Sequence, residues 1–210
     1  MTKQLELWRG QFGDDYITRN TITEEDLNAR KYLWRQLLQP MWDSNTMPNS
    51  ILEIGAGQGI NLLAIDQVCD TLVKKPRLHA VEPNEQARNK LISSNVCLSV
   101  LTENLIEKTN SASYDLVFTS GVLIHIHPDD LMKTMKEIYR ISKQYIICME
   151  YFSPEQREIK YRDENEALWS NDFGRIYLEN FHLQCVAFGF AWKKITGIDD
   201  LVWQIFRKVD

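Results

Sequence analysis

The chain has 210 residues, 44% hydrophobic and 25% charged, with 24 Lys and Arg against 29 Asp and Glu for a formal net charge of −5. That length suits one substantial core rather than two ordinary domains, and the acidic balance argues against nucleic acid as a partner, because neutralising phosphates needs clustered Lys and Arg. No apolar run approaches the ~20 residues that a bilayer requires, MTKQLELWRG lacks the apolar centre of a signal peptide, and Cys69, Cys97, Cys148 and Cys185 stand far apart without a CxxC pair. A cytoplasmic protein with no membrane partner, no metal and no disulfide is expected, as a monomer or a homodimer.

In chain order, residues 1–45 read as an N-terminal helical cap. Within it Glu24 to Gln39 forms a helix, with Thr23 as N-cap, Leu27, Leu33, Leu37 and Leu38 at apolar positions, and Pro40 as the stop. The turn-rich DSNTMPNS leads into a core over 46–210, so that 1–210 forms a single domain. Strands are expected at Ile51 to Ile54, Leu78 to Glu82, Val96 to Leu101, Asp115 to Thr119 and Tyr145 to Glu150. Helices are expected at Ile60 to Val68, Glu85 to Ile92 and Asp129 to Ser142. Such alternation predicts an α/β fold, a parallel sheet with helices on both faces. A helix near Glu166 to Asn180 then precedes two strands, Leu183 to Phe190 and Asp200 to Arg207, which suit an antiparallel pair at the sheet edge. The basic cluster Lys74, Lys75 and Arg77 reads as a solvated loop.

The run ILEIGAGQG, Ile51 to Gly59, carries the first functional signal. An apolar strand closes on Glu53, and Gly55, Gly57 and Gly59 follow at every second position. Glycine permits both the unusual backbone angles of a sharp strand-to-helix turn and the close approach of a ligand. The spacing is GxGxG, whereas the dinucleotide fingerprint is GxGxxG with a pyrophosphate on the helix N-terminus; the difference points to S-adenosylmethionine (SAM), which has no phosphate. In LHAVEPN, Glu82 tips a second strand roughly 20 residues further on, where an acid accepts hydrogen bonds from ribose hydroxyls. A third element, SYDLVFTSGVLIHIHP from Ser113 to Pro128, runs from a strand into an apolar helical segment.

Together these elements, over about Ile51 to Glu150, resemble the class I SAM-dependent methyltransferases. The flanks WRGQFGDDYITRN, GVLIHIHPDDL and EYFSPEQREIKYRDENEALWSNDFG are similar to those of the methylases associated with pseudaminic acid biosynthesis, a bacterial nonulosonic-acid pathway that modifies carbohydrate. One departure is YRDENEALW, where glycine is expected after the arginine. The resemblance implies a Rossmann-like fold with a mostly parallel seven-stranded sheet in the order 3-2-1-4-5-7-6. It implies that Glu53, Gly55, Ala56, Gly57 and Gly59 hold the methionine end of SAM, that Glu82 and Pro83 meet the ribose, that Glu103 and Asn104 lie against adenine, and that Ser120, Gly121 and Val122 line the pocket under the sulfonium. Tyr16, Arg19 and Asn20 would fold over the cofactor, with the fork of Arg19 suited to a carboxylate. Tyr151, Tyr161 and Arg162 would face the acceptor, with Arg162 holding the carboxylate of a sialic-acid-like sugar.

Methyl transfer from SAM, leaving S-adenosylhomocysteine, is an in-line displacement that needs alignment more than covalent catalysis. A hydroxyl or protonated amine acceptor also needs a base. His125, beyond the fourth strand at the carboxyl edge where open α/β sheets bind ligands, is the first candidate, and Glu150, ending the fifth strand, is the second. His125 reads equally as a hydrogen-bonded core histidine, and His127, before Pro128, as a helix-start residue. A transferase acting on a small polar metabolite is the leading expectation. The alternatives are a protein or peptide methyltransferase, a non-catalytic SAM-binding module and, more weakly, a dinucleotide oxidoreductase.

Overall fold

The computed structural model describes residues 2–162 and 164–209, apart from the side chain of Asn104. Two short helices open the chain, α1 (Lys3–Arg9) and α2 (Gln11–Arg19), followed by the long α3 (Glu24–Asp43). A capping box starts α3: the Thr23 side chain accepts from the Asp26 N–H, and Asp26 accepts from the Thr23 N–H. Pro40 does not stop this helix, which runs one turn further. Proline removes one donor there, and the next residue, Met41, is fully buried, so packing outweighs the lost bond.

Five strands then alternate with helices: β1 (Ser50–Ile54), α4 (Ile60–Val68), β2 (Arg77–Val81), α5 (Glu85–Ser93), β3 (Ser99–Leu101), β4 (Tyr114–Ser120), α6 (Pro128–Ile141) and β5 (Ser142–Glu150). Strand β3 is half the expected length, because Val96 to Leu98 belong to the loop after α5. The remaining elements are β6 (Arg157–Glu158), β7 (Trp169–Ser170), α7 (Phe173–Asn180), β8 (Leu183–Ala191), α8 (Lys193–Thr196) and β9 (Leu201–Lys208).

The main sheet has the order β3-β2-β1-β4-β5-β9-β8; its first five strands are parallel, and β9 runs antiparallel to both β5 and β8. This order departs from the expected 3-2-1-4-5-7-6 because an unexpected two-stranded ribbon, β6-β7, precedes the final pair in the chain. The same ribbon displaces the helix expected from Glu166. Trp169 and Ser170 pair with Glu158 and Arg157, and the helix begins only at Phe173, where the Asp172 side chain accepts from the Arg175 N–H.

The sheet is covered on both faces, as its nearly continuous apolar strands require. One core gathers Leu33, Trp34, Leu37 and Met41 of α3 with Leu62 and Ile65 of α4 against β1, β4 and β5. The other gathers Leu131, Met135 and Ile138 of α6 with Phe173 and Tyr177 of α7. The first turns after β1, β2, β4 and β5 thereby emerge together at one edge. Lys75 of the basic loop pairs with Asp66 and Asp70 at that loop's own surface.

Candidate active site

A cavity of about 1150 Å³ opens at the carboxyl edge of the sheet, under α1 and α2. Its floor is the turn after β1. Gly55, Gly57 and Gly59 all have positive φ, 71°, 54° and 83°. A Cβ on Gly55 would lie 2.5 Å from the Val122 side chain, and one on Gly59 would lie 2.2 Å from Leu91, so these two glycines serve close packing. Gly57 has open space on that side. Gly55, Ala56 and Gly57 line the cavity, whereas Gly59 caps α4 without reaching it.

Three acids were expected here, and the structure gives each a distinct environment. Glu53 is buried; one carboxylate oxygen accepts from Asn61 at 2.7 Å and Asn61 accepts in turn from the Trp34 indole at 3.2 Å, but the other oxygen, Oε2, has no partner. Burial pushes its pKa up to about 8. Glu82 accepts from the Gly57 and Asn84 N–H groups, each at 2.7 Å, which ties the tip of β2 to the glycine turn, and burial raises its pKa. Glu103 is paired with Arg9 of α1. Glu53, Glu82, Pro83 and Glu103 all line the cavity; the Asn104 side chain lies outside the described residues.

A fourth charge escaped the sequence reading. Arg30 of α3 lines the same cavity, and its NH1 is buried without a hydrogen-bond partner. Burial lowers its pKa while the nearby Glu53 opposes that shift. The signal was present in the spacing: Arg30 shares the helical stripe of Trp34, Leu37 and Met41, a position where a solvated arginine does not belong. A buried, unsatisfied polar atom is costly, and this cavity holds two, an acceptor on the Glu53 carboxyl (Oε2) and a donor on the Arg30 guanidinium (NH1). Such a pair suits a ligand that carries both an ammonium and a carboxylate, the amino-acid end of SAM.

The roof is tied down by specific polar contacts. Gln58 donates to the carbonyls of Ile17 and Asn20 at 3.3 and 2.5 Å, and Asn84 donates to Asp14 at 2.8 Å. Gly13 is required in α2, since a Cβ there would lie 1.9 Å from the Trp8 carbonyl oxygen. Tyr16, Arg19 and Asn20 line the cavity. Arg19 is exposed, so Arg30, with its NH1 buried in the cavity wall, is better placed than Arg19 for a carboxylate.

Tyr151, Tyr161 and Arg162, the residues expected to face an acceptor, line the cavity together with Ser120, Gly121 and Val122. Tyr151 donates to Asp199 at 3.3 Å and Lys193 meets the same carboxylate at 2.7 Å. Lys193 and Asp199, from the β8 to β9 connection, also line the cavity and carried no sequence signal. Arg162 itself adopts a left-handed conformation, φ 51°, in the stretch where glycine was expected.

The two candidate bases separate clearly. His125 lines the cavity between Trp8 and Tyr161, with ring centroids 4.7 and 5.3 Å away. Its Nδ1 lies 2.6 Å from the Ala167 carbonyl oxygen; a carbonyl only accepts, so Nδ1 carries the proton and the Nε2 lone pair is left free. Burial lowers its pKa to about 4, so the ring is neutral at pH 7. Glu150 is buried away from the cavity lining. It accepts from the Val122 N–H at 3.0 Å and the Ile124 N–H at 3.4 Å, holding the loop that presents His125. Glu150, expected as the second candidate for a base or acceptor-orienting residue, thus stands behind the cavity wall rather than in it. His127 caps α6, accepting from the Asp129 N–H. Among the described residues no group of side chains has the makings of a metal site, and no helix is long and apolar enough to cross a membrane.

An open α/β sheet with acids at the tips of its first two strands and a glycine turn between them defines a methyltransferase architecture. The chain belongs to the methyltransferase-domain family, whose model matches residues 27–192. The solved structures agree in fold. Magnesium protoporphyrin IX methyltransferase from Synechocystis, with bound S-adenosylhomocysteine, superposes with a TM-score of 0.68 at 10% identity, covering 97% of each chain. The 1,6-didemethyltoxoflavin-N1-methyltransferase of Burkholderia thailandensis, with S-adenosylhomocysteine and 1,6-didemethyltoxoflavin bound, gives 0.66 at 17% identity, over 97% of this chain and 88% of that one. The plantazolicin methyltransferase BpumL in complex with S-adenosylhomocysteine gives 0.61 at 14%, over 99% and 94%. No curated protein sequence matches the chain.

Proposed function

We propose that this methyltransferase uses SAM to methylate a small polar acceptor, with an acidic nonulosonic-type sugar or its activated precursor as the leading class. The observation that carries the cofactor reading is the unsatisfied pair Glu53 Oε2 and Arg30 NH1 above the glycine turn. Glu53 would hold the amino group and Arg30 the carboxylate of the methionine end, while Glu82, whose backbone bonds leave lone pairs free, would accept from the ribose. When bound, SAM supplies an electrophilic methyl group for in-line displacement. The protein residues align and desolvate the acceptor, and α1 and α2 exclude water.

His125 takes the acceptor proton at Nε2, its Nδ1–H being fixed on Ala167. Glu150 is a positioning residue, acting through the Val122 and Ile124 amides. Support for an acidic acceptor comes from the flanking phrases noted in the sequence and from Arg162 and Lys193 on the acceptor wall, with Tyr16, Tyr151 and Tyr161 offering hydroxyls to a polyol. The test is to incubate the protein with SAM and a panel of nonulosonic acids and read the products by mass spectrometry. A gain of one methylene mass on one sugar supports the reading; SAM turnover confined to a peptide acceptor overturns the substrate class.

A further inference from the structure

Strand β8 forms the outer edge of the main sheet: one side pairs with β9, and the other pairs with no strand among the described residues. Such an edge presents a row of free backbone donors and acceptors, which soluble proteins ordinarily blunt with lysine, proline or a bulge. The stretch LQCVAFGFAW, residues 183–192, contains no charge and no proline. Its register shift lies between Cys185 and Ala187, so Ala187 to Ala191 continue as an unbroken ladder against Ile205 to Leu201.

Side chains alternate along that ladder. Gly189 packs under the Trp203 indole, where a Cβ would lie 2.3 Å from the ring, and Ala191 is buried. The opposite face carries Phe188, 76% exposed, Phe190, 57%, and, along the extended backbone, Trp192, 53%. Phe188 lies opposite Gln204 and Phe190 opposite Val202, and Val202 and Gln204 line one small cleft together with Phe152, 51% exposed, two residues past β5. The exposed apolar side chains therefore gather along β8 and toward Phe152, with Ile195 of α8 also exposed just beyond Trp192. Aromatic side chains of this size present roughly 500–600 Å² of apolar area at such exposures, as large as the largest patch on a typical monomer. Adding the backbone edge approaches the ~800 Å² per partner of a standard interface.

We infer that β8 is the interface of a homodimer, in which a second copy adds its own β8 antiparallel across a twofold axis. An isologous contact requires one patch to complement itself, and this strand does so: with Gly189 at the centre, Phe188 of each copy meets Phe190 of the other. The uncharged segment sets no like charges opposite each other. In that register Lys193 and Lys194, the first charges beyond the strand, fall opposite Cys185 and Gln184. Because Lys193 and Asp199 belong to the connection that leaves this strand and line the cavity, dimerisation would also steady the acceptor wall.

Sedimentation velocity on the full chain at micromolar concentration tests this, comparing the wild type, the double variant Phe188→Glu with Phe190→Glu, and the control Val73→Glu on the exposed loop before β2. The expected result is a species of twice the 24.6 kDa chain mass for the wild type and the control, and at least a tenfold weaker association for the double variant. Hydrogen exchange needs no variant: amides of residues 187–191 should gain protection as wild-type concentration rises. A monomeric wild type, a dimer that survives both glutamates, an open-ended polymer, or exchange that ignores concentration would each overturn the inference.

Discussion

At the proposed cofactor end of the cavity, Glu53, Gly55 and Glu82 sit on or directly after the central strands β1 and β2, and each is fixed by bonds to neighbouring core elements. At the proposed acceptor end, Tyr16 comes from α2, His125 from the loop after β4, Tyr161 and Arg162 from the stretch before the β7 strand, and Lys193 and Asp199 from the β8 to β9 connection. The first end is rigid because its groups terminate buried strands. The second is a set of surface segments stitched together by side chains: Gln4 to the Glu166 carbonyl, His125 to the Ala167 carbonyl, and Tyr151 to Asp199. A scaffold that fixes the donor and leaves the acceptor wall to loops can change substrate without changing fold.

Mutations at the two ends should divide accordingly. The largest effect is expected for His125→Ala, a loss of ~10²–10⁴ in kcat with cofactor affinity preserved, since a positioned base contributes on that scale. Measured turnover alongside S-adenosylhomocysteine binding checks it; loss of both together would place His125 in the fold rather than in the chemistry. Next comes Glu82→Ala, expected to weaken cofactor binding by roughly 1–3 kcal/mol, the cost of a buried hydrogen-bonded partner, as read by calorimetry. Unchanged affinity in that variant would overturn the ribose assignment.

A smaller effect sharpens the split between the two candidate bases. Glu150→Gln keeps the shape but loses a charged acceptor for two amides, at a cost of roughly 1 kcal/mol. A fall of several-fold in kcat is expected, and the pH profile should keep the limb set by His125. If Glu150 were itself the base, the glutamine variant would be as inactive as His125→Ala.

The smallest effect is on stability against pH. Glu53 and Glu150 have folded-state pKa values of about 8 and about 7, above their ordinary 4.5. They therefore contribute stability that is full below 4.5 and lost as pH rises through those values. His125, lowered to about 4 from 6.5, contributes stability that is full above 6.5 and lost as pH falls through 4. Above pH 6.5 only the carboxylates change, so the Tm of the free protein should decline from pH 6.5 to 8.5. With saturating S-adenosylhomocysteine the decline should flatten, because an ammonium beside Glu53 favours its charged form. A free protein whose Tm rises over that range would refute the burial argument.

The cofactor end was largely legible in the sequence, and the acceptor end was not. Glu53, the glycine turn and Glu82 follow the chain in one strand-turn-helix-strand unit, so spacing alone gathers them. Helix α4 runs from Ile60 to Val68 as the apolar pattern required. Arg30 was missed because a basic residue on a helix normally reads as solvated; only the depth of α3 against α4 and the sheet buries its guanidinium. The individual helices α1 and α2, seven and nine residues long, are too short for periodicity to declare, and α2 contains Gly13, usually a helix breaker but required here by the Trp8 carbonyl. Ribbon β6-β7 pairs only two residues on each side, and Pro40 stays helical because the core holds Met41. Each of these depends on contacts between segments distant in the chain.

Calorimetric titration of S-adenosylhomocysteine into the wild type and Arg30→Met bears most directly on the donor site. Arg30 was found only through the fold and stands with Glu53 at the proposed amino-acid end. Saturable binding by the wild type is expected, with a loss of about 1.5–3 kcal/mol in the variant, the worth of a hydrogen bond to a charged group. No binding by the wild type, together with thermal stabilisation by NAD instead, would refute the donor assignment and everything built upon it.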